Sequence, residues 1–89
     1  MSKDAIYITR GVKHYIPLEI IMCMLKMIKG IQDKDYLQVL NVQMEYGYSR
    51  IKLTQEVPAY EKSIKVRWQA EQNLKLFYID NVLMLAEEY

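Results

Sequence analysis

The feature that most constrains this chain is a change of hydrophobic period after Gly30. Leu18 to Lys29 carries a helical repeat, whereas from Tyr36 onward apolar residues recur at every second position. At 100° per residue, Leu18, Ile20, Ile21, Met24, Leu25, Met27 and Ile28 fall on one broad arc, with Glu19, Lys26 and Lys29 on a narrow stripe opposite. Met22 lies among those polar residues and Cys23 borders them, so the arc is wider than one sheet face requires. Pro17 suits the first helical position, where a missing N–H costs nothing. Gly30 reads as a left-handed residue closing the helix.

The rest of the chain reads as strands and turns. Ala5 to Thr9 is β-branched and aromatic and forms a first strand, punctuated by Gly11, with Val12 to Ile16 as a connection. Tyr36 to Glu45 places Leu37 and Val39 on one parity and Leu40, Val42 and Met44 on the other, which predicts a bulge or a strand covered on both faces. Tyr46 to Ser49 is a turn. Arg50 to Val57 alternates with Ile51, Leu53 and Val57 inward; Pro58-Ala59-Tyr60 interrupts it. Ser63 to Trp68 alternates again, Gln69 to Asn73 is a loop, and Leu74 to Ile79 is a further strand. Asp80-Asn81 turns the chain into the short apolar run Val82 to Leu85. These segments predict an α+β fold in a single domain, residues 1–89. One helix in the N-terminal half packs on one face of a mainly antiparallel sheet of about five strands.

A chain of 89 residues has room for one domain. It buries only about two-thirds of its unfolded surface, so every apolar segment is needed for the core. The net charge of +1 argues against a dedicated nucleic-acid-coating protein, which is normally strongly basic. Cys23 is the only cysteine, as suits a reducing compartment. Met1-Ser2-Lys3-Asp4 lacks the apolar core of a signal peptide, and the longest apolar run, Ile20 to Leu25, is too short to cross a bilayer. A cytoplasmic location is expected.

No enzyme site is legible. His14 is the only histidine and, with Cys23, makes the sharpest catalytic pair available, but no third group or flanking signature supports it. One His and one Cys cannot make a metal site without several carboxylates, and the acidic residues are scattered. Asp33 and Asp35 lack the calcium-loop glycine and distal glutamate. With three dispersed glycines there is no phosphate-binding loop. No cofactor is expected.

The surface is more informative. If Arg50–Val57 pairs with Ser63–Gln69, matching their apolar faces gathers Arg50, Lys52, Lys65 and Arg67 on the other face. Like charges across a strand pair are destabilising, so their retention points to an anionic partner, either a phosphate backbone or an acidic protein surface. The alternative is that they splay into solvent, screened by Glu56 and Glu71. Eight tyrosines are many for this length; Tyr46, Tyr48 and Tyr60 sit at turns and are candidate contacts, whereas strand tyrosines such as Tyr7 and Tyr78 fill the sheet. Glu87 and Glu88 make the C-terminal end anionic, either a solvated tail or a second candidate surface.

Several segments together resemble a known family. They are Tyr7-Ile8-Thr9-Arg10-Gly11-Val12, Ile16-Pro17-Leu18-Glu19, Asp35-Tyr36-Leu37-Gln38-Val39, Gln55-Glu56-Val57-Pro58-Ala59-Tyr60, Tyr78-Ile79-Asp80 and Met84-Leu85-Ala86-Glu87-Glu88-Tyr89. The chain resembles, over nearly its full length, an uncharacterised family of small proteins from Gram-positive bacteria, their phages and other mobile elements. In that family the stretch between Asp80 and Met84 is often longer and more polar; here it is Asn81-Val82-Leu83. The resemblance transfers no catalytic residues. It implies the company of accessory proteins that disarm host defence, such as anti-CRISPR inhibitors. Three readings follow. The first is a non-enzymatic module that binds a host protein, such as a CRISPR or other defence nuclease, and occludes it. The second is a nucleic-acid-binding accessory protein using the basic hairpin face. The third is an assembly protein that dimerises through the spare surface of its helix.

Overall fold

Thr9 ends one element and starts the next. Its hydroxyl oxygen accepts a hydrogen bond from the Val12 N–H at 3.4 Å and caps a short helix, α1, Arg10–Tyr15. The segment expected as a connection, Val12 to Ile16, therefore mostly belongs to a helix. Its six residues are too few to register as a period. In the computed structural model, which describes residues 5–89, the first strand narrows to β1, Tyr7–Ile8. The expectation placed on Met1 to Asp4 lies outside the described residues. The main helix, α2, is Leu18–Lys29, with Pro17 at its N-cap. Gly30 closes it in a right-handed conformation (φ −71°), not the left-handed one expected.

The remaining elements are β2 (Leu37–Met44), β3 (Ser49–Gln55), β4 (Tyr60–Val66), β5 (Leu74–Ile79), β6 (Val82–Leu85) and a 3-10 turn at Ala86–Glu88. The architecture is α+β, with a six-stranded mixed sheet ordered β1-β6-β5-β2-β3-β4. The expected five strands become six because Val82 to Leu85 is a full member of the sheet. Every neighbouring pair is antiparallel except β1 with β6. The strand β2 keeps a regular register with β3 and β5, so the parity shift at Val39 and Leu40 is not a bulge. It marks a central strand with apolar residues on both faces.

Turn chemistry sets the hairpins. Asp80 and Asn81 both have positive φ, 49° and 63°, the pair of left-handed residues that a tight turn between β5 and β6 needs. Gly47 (φ 86°) does the same within the β2–β3 turn, where the Glu45 N–H donates to the Tyr48 carbonyl at 2.9 Å. Residues 67–73 carry the chain from edge strand β4 back to β5, beside β2. Two side chains pin this return: Ser49 Oγ accepts from the Ala70 N–H (2.9 Å), and Asn73 Oδ1 from the Met44 N–H (2.8 Å).

Both helices cover one face of the sheet. Val12, Ile16, Ile21, Met24 and Ile28 pack in one cluster with Leu40, Val42, Ile51, Leu53, Leu76, Leu83 and Leu85. At about 1.5–3 kcal/mol per fully buried side chain, this layer is the main source of stability. Val57, expected inward, is 70% exposed, because β3 ends at Gln55. Gln55 and Gln38 take the inward positions at that end and are both buried.

Candidate docking face

No helix among the described residues covers the other face of the sheet, and the strand registers order it in rows. Arg50 lies directly opposite Lys65, and Lys52 lies opposite Ser63. One strand further in, Lys52 pairs with Asn41, which pairs with Lys75 on β5. The hairpin cations Arg50, Lys52 and Lys65 thus share the open face as expected. Arg67 is exposed one residue beyond the end of β4. Lys75 extends the band and was missed. Its parity is readable, but its place beside Asn41 follows from a strand order the sequence does not state.

Local partners temper these charges. Arg50 Nε is 3.8 Å from Glu45 Oε1, and Lys52 Nζ is 3.5 Å from Glu61 Oε2. The side chains are substantially exposed, so each pair contributes about 0–1 kcal/mol and is readily exchanged for another carboxylate. Lys65 Nζ sits 5.1 Å from the centre of the Tyr48 ring, and Lys75 Nζ 5.8 Å from that of Phe77. The screening carboxylates are Glu45 and Glu61, not Glu56 and Glu71 as expected. Glu56 lies in the β3–β4 turn, and Glu71 lines a groove elsewhere.

Beyond the basic band the same face turns apolar. Val39, Phe77 and Met84 form one row, and Leu37, Ile79 and Val82 the next, with Tyr7 at the β1 margin. Ile79 is buried by its neighbours and the other five are half-buried. The Tyr89 ring meets Phe77 edge-on, centroids 5.8 Å apart, and is 76% exposed.

The remaining candidates separate. Tyr46 is 98% exposed at the tip of the β2–β3 turn, and Tyr48 lies under Lys65. Tyr60 points to the helix-covered side, where it packs against the core, so it is not brought together with the cations. Glu87 is exposed. Glu88, though exposed, folds back on the chain: its Oε1 accepts from Thr9 Oγ1 at 2.6 Å and from the Leu85 N–H at 2.8 Å. The Thr9 hydroxyl first, then the backbone N–H of Leu85, holds its carboxyl below the usual glutamate range.

Gly11 packs against this carboxylate. A Cβ there would stand 2.7 Å from Glu88 Oε2 and 2.8 Å from Leu85 Cδ1. The chain's end is a clasp on the start of α1. A second clasp ties residues 33–38 to the end of β3 and the turn after it. Gln55 Oε1 accepts from Gln38 Nε2 (2.7 Å) and the Asp35 N–H (2.8 Å), while its Nε2 donates to the carbonyls of Asp33 (3.0 Å) and Pro58 (2.9 Å).

His14 lies on α1, not in a loop, and is exposed. With Lys13, Tyr15, Trp68, Gln69 and Glu71 it lines a groove of about 440 Å³ that Cys23 does not reach. Among the described residues, no three of His, Cys, Asp or Glu cluster to hold a metal ion, and no helix is long and apolar enough to cross a membrane. Set against known proteins, the chain has no significant match to a family model, a curated protein or a solved structure.

Proposed function

We propose that this chain is a non-enzymatic binding module whose open sheet face docks on an acidic surface of a partner protein and occludes it. One observation carries the reading: a basic band of Arg50, Lys52, Lys65 and Lys75 borders a half-buried apolar patch on a face that no described helix covers. The apolar rows supply burial, while the cations steer approach and fix orientation. The apolar rows beside the band favour a protein partner over nucleic acid, because a phosphate backbone offers no apolar surface to bury against them. A cytoplasmic role as a phage or mobile-element inhibitor of a host defence nuclease fits such occlusion, because nucleases present extended functional surfaces that a small module can cover.

The test is capture of partners from a Gram-positive host lysate, with and without nuclease treatment. It compares the wild type with Lys52→Glu/Lys75→Glu and with a helix control, Lys29→Glu. A discrete protein retained after nuclease treatment by the wild type and the control, but lost by the face variant, is expected. Recovery of nucleic acid alone would move the face to direct nucleic-acid binding. Capture indifferent to the face variant would overturn the reading.

A further inference from the structure

The sheet has two edges, and they differ. On one side β1 offers two residues; on the other β4 offers seven, Tyr60–Val66. Among the described residues no strand lies outside β4, so alternate N–H and C=O groups along it face away from the sheet. Its half-buried Tyr60, Ile64 and Val66 stand at the margin of the core, with one flank open. We infer that a second copy of this chain pairs there, β4 against β4, antiparallel about a two-fold axis through Ser63.

The argument is the strand's own complementarity. An isologous interface places each residue opposite a fixed partner in the other copy, so the strand must suit its own reverse. Centred on Ser63, Glu61 faces Lys65 of the second copy, and Lys65 faces its Glu61. Those two residues point to the open face, and each such cross-strand pair is favourable. On the helix-covered side Tyr60 faces Val66, and both gain cover. Lys62 faces Ile64. A lysine on that side of an edge strand commonly blocks pairing; here its methylene stem lies along Ile64 while the ammonium reaches solvent.

Other registers are worse. Centring on Lys62 sets that lysine against itself, and centring on Ile64 leaves Tyr60 and Glu61 beyond the paired strand. An odd shift would oppose backbone groups facing out with groups facing in. The favoured register alone uses the whole strand and pairs opposite charges. It continues one sheet through both copies, with their open faces on the same side. Lys65 also belongs to the basic band, but the pairing needs only this chain's own edge strand, so a partner that ignored the face would leave the dimer standing.

Sedimentation equilibrium of the full chain over a range of concentrations tests it. The wild type dimerises. Glu61→Lys and Lys65→Glu, each made alone, place two like-charge pairs across the axis and weaken association about tenfold. The double variant Glu61→Lys/Lys65→Glu restores it. Ser63 opposes itself with Cα atoms about 4.5–5.5 Å apart, so Ser63→Cys in a Cys23→Ser background forms a disulfide-linked dimer on mild oxidation. Circular dichroism confirms that each variant is folded. A wild type that is monomeric throughout, a dimer indifferent to both single reversals, failure of the cysteine pair to cross-link, or a dimer lost instead through Met22→Glu on α2 would overturn the inference.

Discussion

Gln55 uses all four of its hydrogen-bonding positions on protein groups, in a site only 6% exposed. Replacing its amide by a hydrocarbon takes the partner from the Asp35 N–H and from the Asp33 and Pro58 carbonyls, and leaves the buried Gln38 amide only its bond to the Asp35 carbonyl; a buried polar group without a partner costs about 1–3 kcal/mol. Gln55→Leu is expected to lose about 3 kcal/mol, read from the urea midpoint at unchanged slope. Glu88 supplies a second prediction at this scale. Its native carboxyl titrates lower than in the unfolded chain, where glutamate sits at about 4.3. Its contribution is therefore present above that pH and disappears as pH falls through the lower native value. Melting temperature followed from pH 7 to acid should show the wild type losing its advantage over Glu88→Gln only below the usual glutamate pKa. An advantage unchanged in acid would mean that the charge on Glu88 does not stabilise the fold.

Among elements, those with a clear period were legible and those defined by a single polar contact were not. The main helix and the alternation Ile51, Leu53 and Ile64, Val66 announce themselves by burial, which is a repeating property. The helix α1 escaped because it is short, contains Gly11 and begins at Thr9, a residue equally at home in a strand. Gln55 escaped because a buried glutamine looks like a surface residue until its four partners are known. A glycine after a helix suggests a left-handed cap, yet Gly30 is right-handed, whereas the left-handed residues after Ile79 are Asp80 and Asn81, which tolerate that conformation without being glycine. A third prediction belongs to this turn. Asp80→Gly should be nearly neutral, while Asp80→Val, β-branched at φ 49°, should cost about 1–2 kcal/mol by thermal or urea melting. Equal stabilities would show that the turn relaxes to another geometry.

At the scale of the whole molecule, one sheet has two faces in different surroundings, one under the helices and one open, and β5 carries the contrast in adjacent residues. Leu76 is fully buried under the helices, whereas Phe77 is half-buried on the open face between Val39 and Met84. The sequence showed both parities of β2 to be apolar, but which parity met the helices depended on the strand order, set by the return of residues 67–73 to place β5 beside β2. The docking face was legible only where it lies within one hairpin, at Arg50, Lys52 and Lys65. Its apolar rows are assembled from strands far apart in the chain. The two faces should separate under mutation. Leu76→Ala opens a cavity in the core and is expected to cost about 2–5 kcal/mol. Phe77→Ser/Met84→Ser removes apolar area that no helix covers, so the fold should persist with a smaller loss while capture of the partner fails. Urea unfolding and the lysate capture, applied to both variants, make the comparison. If the double serine variant retained its partner, the apolar rows would be no part of the interface, and binding would reside in the cations alone.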